Sequence, residues 1–301
     1  MLNKEGVATR RVAYALCSVT PGERIPTVSQ LERTCEASRG YVQRALANLR
    51  ESGAVRLETH GQGGTVLVGI DYLALVRACG VTHIVGCMPL PYTTRYEGLA
   101  TSLFTLLNAG GVHAYITFQR GSEGRVQTLV DEATDYCVMS RLAYREYVGR
   151  GFGIEEALDF GPSSYVGRHV LFSRDAGRTD WTGARVGIDP SSVDQRTLTE
   201  RFFSGAAVEY VPVQYTNIVG MLRQGELDAG IWNEDDVHMR YPDLSARAID
   251  AEGADEDNTR AVIVVRSGDA LTRQVIRTLV DTNRAREIQR QVMDGSIPVR
   301  Y

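Results

Sequence analysis

Long apolar runs are missing from this chain of 301 residues. No stretch approaches the roughly 20 consecutive apolar residues that a bilayer-spanning helix needs. Residues 1–11 are polar and mixed in charge, without the apolar core or small-residue cleavage site of a secretory signal. Hydrophobic residues nevertheless make up 43% of the chain, which is ample for buried cores. We therefore expect a globular, cytoplasmic protein of two domains with no membrane partner.

Closely spaced metal-binding or disulfide-forming residues are also missing. The cysteines include no CxxC pair, and the histidines are just as dispersed. An odd number of scattered cysteines argues against a disulfide framework, and their spacing does not fit a zinc cluster. We predict no metal site and no cofactor, and free thiols are typical of a reducing compartment. The residues concerned are Cys17, Cys35, Cys79, Cys87, Cys137, His60, His83, His113, His169 and His238.

Aspartate is absent from residues 1–70, which carry nine basic and six acidic side chains and so a net charge of +3. Residues 71–301 carry 24 basic and 31 acidic side chains, for a net charge of −7. A mildly basic head on an acidic body fits a nucleic-acid reader attached to another domain. Taken alone, this charge signal is weak.

Three helices are predicted at the start of the chain. Apolar residues at roughly helical spacing predict a first helix that ends at a Pro21-Gly22 turn. Thr27 and Gln30 have the spacing of a capping box, which starts a second helix. Ser38 can cap a third helix, whose apolar residues follow the i, i+3, i+4, i+7 pattern.

A glycine-rich hairpin follows the third helix. Residues 54–59 and 64–69 are strand-like, and the glycines between them allow a tight turn. These glycines do not form a phosphate loop, because no Lys-Ser/Thr follows them and no strand-to-helix context exists. We interpret residues 1–69 as a winged helix-turn-helix domain of the α+β class.

The third predicted helix presents basic and polar residues opposite its apolar face. Arg39 and Arg44 can bond guanine edges or phosphates, and Gln43 can read adenine. The alternative is that the two arginines form only a solvated face. The residues predicted to contact a duplex DNA operator, the last two of them on the wing, are Arg39, Tyr41, Gln43, Arg44, His60 and Gln62.

The segment PGERIPTVSQLERTCEASRGYVQRALANLRESGAV resembles the winged-helix domain of GntR-type bacterial regulators. It has their Pro-Gly-Glu-x-Ile-Pro start, their Ser-Arg beginning of the recognition helix, and their wing. The chain departs from the pattern at Gly40 and Tyr41, where that family usually has small hydroxyl residues. The resemblance therefore implies the fold but not the DNA sequence that is read.

Strand-like and helix-like segments alternate from residue 81, after a short amphipathic connector at residues 70–80. Such alternation implies βαβ units and a largely parallel sheet. The pattern restarts with ARVGI, and segments near 164–173 and 260–266 can cross between the two halves. We predict a bilobal α/β clamp over residues 81–301, with one long helix at residues 271–292.

The segment VEYVPVQYTNIVGMLRQGELDAGIWN resembles the second lobe of type 2 periplasmic-binding-protein-like domains. Four further segments, together with the winged head, are similar to regulators of the YhfZ family: MPLPYTTRYEGLA, VMSRLA, GPSSYVGRHVLF and AGIWN. The similarity extends over nearly the whole chain. It implies a DNA reader fused to a small-molecule sensor, and it implies no particular ligand.

Ligands of open α/β sheets bind beyond the carboxyl ends of the strands, near helix N-termini. Hydroxyls, helix N-termini and an arginine there suit an anion such as a carboxylate or phosphate metabolite. Thr94 with Glu97 and Ser192 with Gln195 also have capping-box spacing, and Arg141 could pair with a carboxylate instead. The predicted ligand-binding residues are Pro91, Tyr92, Thr93, Thr94, Glu97, Ser140, Arg141, Ser191, Ser192, Tyr215 and Asn233.

Together these patterns predict a transcription regulator that is not an enzyme. The alternative is an enzyme or a small-molecule-binding protein on the same bilobal fold, although no nucleophile elbow or P-loop supports catalysis. We also predict a homodimer, because two half-sites one helical turn apart supply the specificity that a single winged helix lacks.

Overall fold

The computed structural model describes residues 4–175, 177–235, 244–249 and 256–301. The chain divides into two compact units. The first unit contains Met1–Ile84, Leu106–Ala114 and Gly268–Asp281. The second contains Val85–Thr105, Tyr115–Ser267 and Thr282–Tyr301. The first unit thus includes the predicted connector and a C-terminal segment as well as the winged head.

Helices and strands follow the predicted order along most of the described chain. The α-helices are α1 (Lys4–Leu16), α2 (Val28–Thr34), α3 (Arg39–Glu51), α4 (Tyr72–Cys79), α5 (Thr94–Ala109), α6 (Ser122–Val130), α7 (Arg141–Gly149), α8 (Val193–Phe202), α9 (Ile218–Gln224), α10 (Ala270–Leu279) and α11 (Thr282–Met293). The strands are β1 (Val55–Thr59), β2 (Thr65–Ile70), β3 (His83–Met88), β4 (His113–Phe118), β5 (Tyr136–Ser140), β6 (Ile154–Asp159), β7 (His169–Ser173), β8 (Arg185–Ile188), β9 (Glu209–Pro212), β10 (Ala229–Asn233), β11 (Ser245–Ala248) and β12 (Ala261–Arg266).

The winged helix-turn-helix prediction is confirmed. The capping box at the start of α2 is complete, since each of Thr27 and Gln30 bonds the other's backbone N–H. The helix α3 buries Val42, Ala45 and Leu49 against a core shared by α1, α2, α4 and α10. Strands β1 and β2 pair antiparallel to form the wing.

The tip of the wing requires glycine at two positions. Gly61 and Gly64 have φ angles of 54° and 83°, which side-chain-bearing residues rarely adopt. The backbone N–H of His60 donates to the Gly64 carbonyl and closes the turn. The glycine-rich pattern therefore predicted a real hairpin tip.

Each lobe of the second unit is built on one five-stranded sheet. The first lobe has the order β4-β3-β5-β12-β6, and the second has β11-β7-β10-β8-β9. Alternate residues of β7 and β10 point to opposite sides of the second sheet. Those on one side pack against α9, and those on the other side pack against α8. All five residues of β7 and of β10 are accordingly buried.

The prediction of a largely parallel sheet was only partly right, because each sheet is mixed and contains a reversed strand among strands that share a direction. The pairs β3–β5, β8–β9 and β8–β10 are parallel, but β7 and β12 run antiparallel to their neighbours. Parallel neighbours need a crossover connection within one lobe. Strands β7 and β12 instead follow the segments that cross between the lobes, so they need not share the direction of the βαβ strands.

The predicted long C-terminal helix was also wrong, because two helices occupy its place. Helix α10 ends at Leu279, and Val280 adopts an extended backbone with φ −105° and ψ 91°. The Val280 side chain is buried, and a β-branched residue favours this conformation. The chain passes from the first unit to the second directly after Asp281, so the break separates a helix of one unit from a helix of the other.

None of the helices in the described ranges is long and apolar enough to cross a bilayer. The segment predicted as the connector contains the helix α4, where Asp71 caps the first turn by accepting from the Ala74 N–H. Gly80 ends α4 with a φ angle of 72°.

Candidate ligand cleft and nucleic-acid interface

A narrow cleft with a cavity volume of about 60 Å³ lies between the two lobes of the second unit. The first lobe contributes the loop after β3 and the start of α6. The second lobe contributes the loop between β8 and α8 and the short helical turn before α9. These are the carboxyl ends of strands and the N-termini of helices, where open α/β sheets bind ligands.

Arg125 is a buried cation in this cleft, with only 3% of its surface exposed. Its Nε donates to the Val138 carbonyl at 3.0 Å, one terminal nitrogen to the Gln119 carbonyl at 3.0 Å, and the other to the Tyr165 hydroxyl at 3.1 Å. These bonds occupy three of the five guanidinium N–H groups and leave one on each terminal nitrogen. Among the described residues, no acidic side chain forms an ion pair with Arg125.

Asp194 enters the same cleft from the second lobe, at the start of α8. The Ser140 hydroxyl of the first lobe lies 2.7 Å from both of its carboxylate oxygens. Burial raises the pKa of Asp194 to about 7, although the Ser140 bond and the charge of Arg125 oppose the rise. This carboxyl group therefore changes its charge near neutral pH.

Asp189 organises the second lobe's side of the cleft. One of its carboxylate oxygens accepts from the N–H and the hydroxyl of Ser191, at 2.9 and 2.7 Å. The other accepts from the Tyr215 N–H at 2.7 Å. The backbone N–H of Asp189 is fixed in turn by the amide oxygen of Gln195 at 2.7 Å. Two predicted ligand residues, Ser191 and Tyr215, are thus held in place by an aspartate that is not itself among the predicted ligand residues.

Five aromatic rings stand around the cleft. Tyr215 stacks on Trp232 with ring centroids 4.0 Å apart and planes 8° from parallel. Tyr92 of the first lobe lies 6.0 Å from Tyr215 across the cleft. Tyr92 and Tyr165 each meet the edge of Tyr96, at 5.2 and 5.1 Å. Burial raises the pKa of all four tyrosines, so they remain neutral phenols.

His169 lines the cleft and is almost wholly buried. Burial lowers its pKa to about 4, so the imidazole is neutral at physiological pH. Its Nδ1 and both amide atoms of Asn233, the residue opposite it on β10, have no hydrogen-bond partner among the described residues. Buried polar atoms are usually satisfied, so this pair is unusual.

The predicted ligand residues fall into two groups. Tyr92, Ser192 and Tyr215 line the cleft. Arg141 instead pairs with Asp159 of its own lobe at 2.9 Å, and the Thr93 hydroxyl caps α5 by accepting from the Tyr96 N–H at 3.3 Å. The residues that lie near the cleft or behind it, without lining it, are Pro91, Thr93, Thr94, Glu97, Ser140, Arg141, Ser191 and Asn233.

Arg125, Asp194 and His169 are among the cleft residues that were not predicted from the sequence. A weak signal exists for Arg125, since it shares one face of α6 with Ser122 and Leu129, both buried. A charged residue on a buried face has to be compensated by other groups. The sequence does not name those groups, because Val138 and Tyr165 come from distant segments.

The predicted DNA-contact residues lie on the surface of the first unit. Arg39, Gln43 and Arg44 are exposed near the start of α3, and the Arg44 guanidinium sits 5.1 Å above the Tyr41 ring. Arg44 also lies 3.9 Å from a carboxylate oxygen of Glu5.

One of the two residues predicted to contact DNA from the wing is also on the surface of the first unit. His60 is exposed, with its Nε2 3.8 Å from a Glu58 carboxylate oxygen. The side chain of Gln62 is outside the described part of the chain.

Comparison with known proteins supports both halves of this description. Residues 71–301 match the family model described as the YhfZ C-terminal domain, and residues 20–67 match a helix-turn-helix domain. The chain is 35% identical over 299 residues to the uncharacterized protein YhfZ of Escherichia coli strain K12, covering 98% of this chain and 96% of that protein.

Solved structures are also similar to this chain. The crystal structure of YhfZ from Shigella flexneri matches with a TM-score of 0.65 and 33% identity, over 77% of this chain and 98% of that one. The substrate binding protein of a methionine transporter from Streptococcus pneumoniae matches with a TM-score of 0.51 and 11% identity, over 71% of this chain and 94% of that one. At that identity the second match shows the fold alone.

Proposed function

Because the chain belongs to the YhfZ family and joins a helix-turn-helix domain to a bilobal binding-protein-like domain, we propose that it regulates transcription. In this proposal α3 and the wing bind duplex DNA, and the cleft binds a small anionic metabolite. The observation that carries the ligand class is the buried guanidinium of Arg125. The protein acts as a sensor and not as a catalyst.

An anion would accept hydrogen bonds from the two N–H groups of Arg125 that have no protein acceptor. A buried charge is costly unless it is paired and hydrogen-bonded, and here its protein partners are neutral. One N–H on each terminal nitrogen is left for two oxygens of a carboxylate or phosphate. The surrounding aromatic rings offer apolar area to the rest of the ligand.

A ligand in the cleft would also favour one arrangement of the lobes. Several polar contacts already join them, among them Ser140 to Asp194, Arg95 to Asp235 at 2.9 Å, Arg120 to Gln214, and Arg196 to Glu146 at 3.6 Å. A ligand that touches both Arg125 and the second lobe binds the closed form better than an open one. It therefore shifts the population toward closure.

We further propose that the regulator acts as a homodimer on a two-fold operator. One winged helix buries only about 600–1,000 Å² on DNA, which gives limited specificity. Sedimentation of the full chain should give a dimer at micromolar concentration. A monomer both with and without DNA would contradict this part of the proposal.

Thermal-shift and calorimetric titration with a panel of small carboxylates and phosphates tests the ligand class. We expect at least one of these anions to bind the full chain, and Arg125→Met to lose that binding. Arg266→Met is the matched control, because Arg266 is a partly buried arginine of the same lobe that donates to the Leu129 and Thr134 carbonyls away from the cleft. Equal loss in both variants, or retained binding in Arg125→Met, would refute the assignment.

A further inference from the structure

Two cysteines that are distant in sequence meet in the first unit. Cys17 follows α1, Cys79 is the last residue of α4, and their sulfur atoms are 3.9 Å apart. The Cys17 side chain is buried, and Cys79 is partly exposed. The sequence reading found no cysteine pair, because 62 residues separate these two.

The surroundings favour reaction at Cys79 first. The bond from the Cys17 thiol lowers the pKa of Cys79. The pKa of Cys17 is raised by that same bond, by burial and by the nearby Cys79 charge. A groove lined by Arg10, Arg11 and Tyr14 reaches Cys79, and the Arg10 guanidinium packs directly on Gly80 beside it. Cationic, accessible surroundings are typical of reactive thiols.

We propose that Cys17 and Cys79 form a reversible intramolecular disulfide when the protein meets a hydroperoxide. The Cys79 thiolate attacks one peroxide oxygen, the O–O bond breaks, and Cys79 becomes a sulfenic acid while the hydroxide that leaves takes up a proton to form water. The Cys17 sulfur then attacks the Cys79 sulfur, the S–O bond breaks, and water leaves with the Cys17 proton. Two thiols are oxidised, and one hydrogen peroxide is reduced to two waters.

The bridge would fix the connector to the helix that supports DNA reading. Helix α1 packs against both α3 and α4, so the new bond joins the end of α1 to the end of α4. Just beyond Cys79 the chain continues into β3. Oxidation would thus restrain the connector, independently of any ligand in the cleft.

Thiol counting in denaturant tests the bridge on the full chain. The reduced protein has five cysteines, so hydrogen peroxide should lower the count from five to three, and dithiothreitol should restore it. Cys35→Ser is the matched control and should fall from four thiols to two. In both Cys17→Ser and Cys79→Ser the disulfide should be absent.

Peptide mapping and sulfenic-acid trapping identify the residues. After trypsin digestion, residues 12–24 should be linked to residues 78–95, with fragment ions placing the bond at Cys79 and not at Cys87. Dimedone should label Cys79 in Cys17→Ser, and it should leave Cys17 unlabelled in Cys79→Ser. A bond to another cysteine, a disulfide-linked dimer on a non-reducing gel, or an unchanged thiol count would overturn the proposal.

Discussion

Asp194 and Arg125 share the cleft, but only the carboxyl group changes its charge near neutral pH. Its pKa is about 7, because burial disfavours the ionised form. His169, with a pKa of about 4, and the buried tyrosines keep their charge between pH 6 and 8. For a carboxylate ligand, which stays ionised throughout that range, the pH dependence of binding should therefore report on Asp194.

We expect the affinity for a carboxylate ligand to rise as pH falls through about 7. Below that pH Asp194 is protonated and no longer repels the anion, so a single linked proton can change the affinity by up to about tenfold per pH unit. Calorimetric titration at pH 6, 7 and 8 measures this effect. Asp194→Asn keeps an acceptor for Ser140 and should give a flat profile, while a slope that survives in this variant would assign it to another group.

Protonation of His169 should make folding stability fall as pH falls, whereas ligand affinity should rise. Its pKa is about 4 in the folded chain and about 6.5 when unfolded, so the unfolded state binds the proton first. The stability that the neutral imidazole provides is complete above pH 6.5 and is lost toward pH 4, by on the order of 3 kcal/mol. Asp194, whose folded pKa is raised, stabilises the fold at low pH and loses that effect as pH rises through 7.

His169→Gln should remove the loss of folding stability that His169 causes at acid pH. Urea unfolding at pH 4.5, 5.5, 6.5 and 7.5 should show the variant gaining stability relative to the natural chain as pH falls below 6.5. Asp194→Asn should show the reverse trend over the same range. Parallel curves for His169→Gln and the natural chain would mean that His169 is not buried in its neutral form.

At the scale of single elements, α3 is where sequence pattern and structure agree most closely. Its apolar positions are buried, and Arg39, Gln43 and Arg44 are exposed on the opposite side. That outcome is expected, because helical periodicity is local and a 13-residue helix contains several turns of it.

Arg39→Ala and Arg44→Ala should each weaken DNA binding. A lost base contact should cost about 1–3 kcal/mol and relax specificity, whereas a lost phosphate contact should lower the salt slope by about one unit. Fluorescence anisotropy at several salt concentrations, on duplexes selected from a random pool by the full chain, separates the two outcomes. Arg201→Ala, an exposed arginine of α8 in the second unit, is the control and should bind normally. Unchanged affinity in both α3 variants would move the interface elsewhere.

Two edge strands and the direction of two inner strands are where prediction from the sequence failed. The strand β6 reads IEEALD and β11 reads SARA, both poor in β-branched and aromatic residues, and each lies at the edge of its sheet. Edge strands tolerate charge and need little β propensity, so their sequences lack the pattern that predicts a strand. The direction of β7 and β12 depends on which lobe the chain enters, and no local pattern records that.

The cleft was predictable only where its residues follow strands. Tyr92 and Tyr215 were found because ligands gather beyond the strand ends. Arg125 was not, because it sits inside a nine-residue helix, and its burial depends on carbonyl and hydroxyl groups from other segments. Arg141 also lies just beyond the end of a strand, but its side chain forms an ion pair with Asp159 of the same lobe.

For the whole molecule, the question is how the cleft could influence DNA reading. The helix α5 has residues in both units, since the boundary falls between Thr105 and Leu106. Near its start, Arg95 pairs with Asp235 of the second lobe, and both side chains are mostly buried. Under the proposed function, closing the lobes would act on one end of α5, and the other end of this helix lies in the first unit.

Ligand and operator should consequently change each other's affinity by the same factor. A coupling of about 1–3 kcal/mol would alter DNA affinity roughly 5- to 150-fold, and linkage requires DNA to alter ligand affinity equally. Anisotropy with saturating ligand and calorimetry with saturating duplex measure the two arms. Arg95→Gln should bring this coupling factor toward one, because it removes the ion pair that joins α5 to Asp235 of the second lobe. Arg168→Gln, which breaks the exposed Arg168–Glu234 pair within the second lobe, should leave it unchanged. If ligand occupies the cleft of the natural chain and both arms give a factor of one, the sensor function is wrong even though each binding site is real.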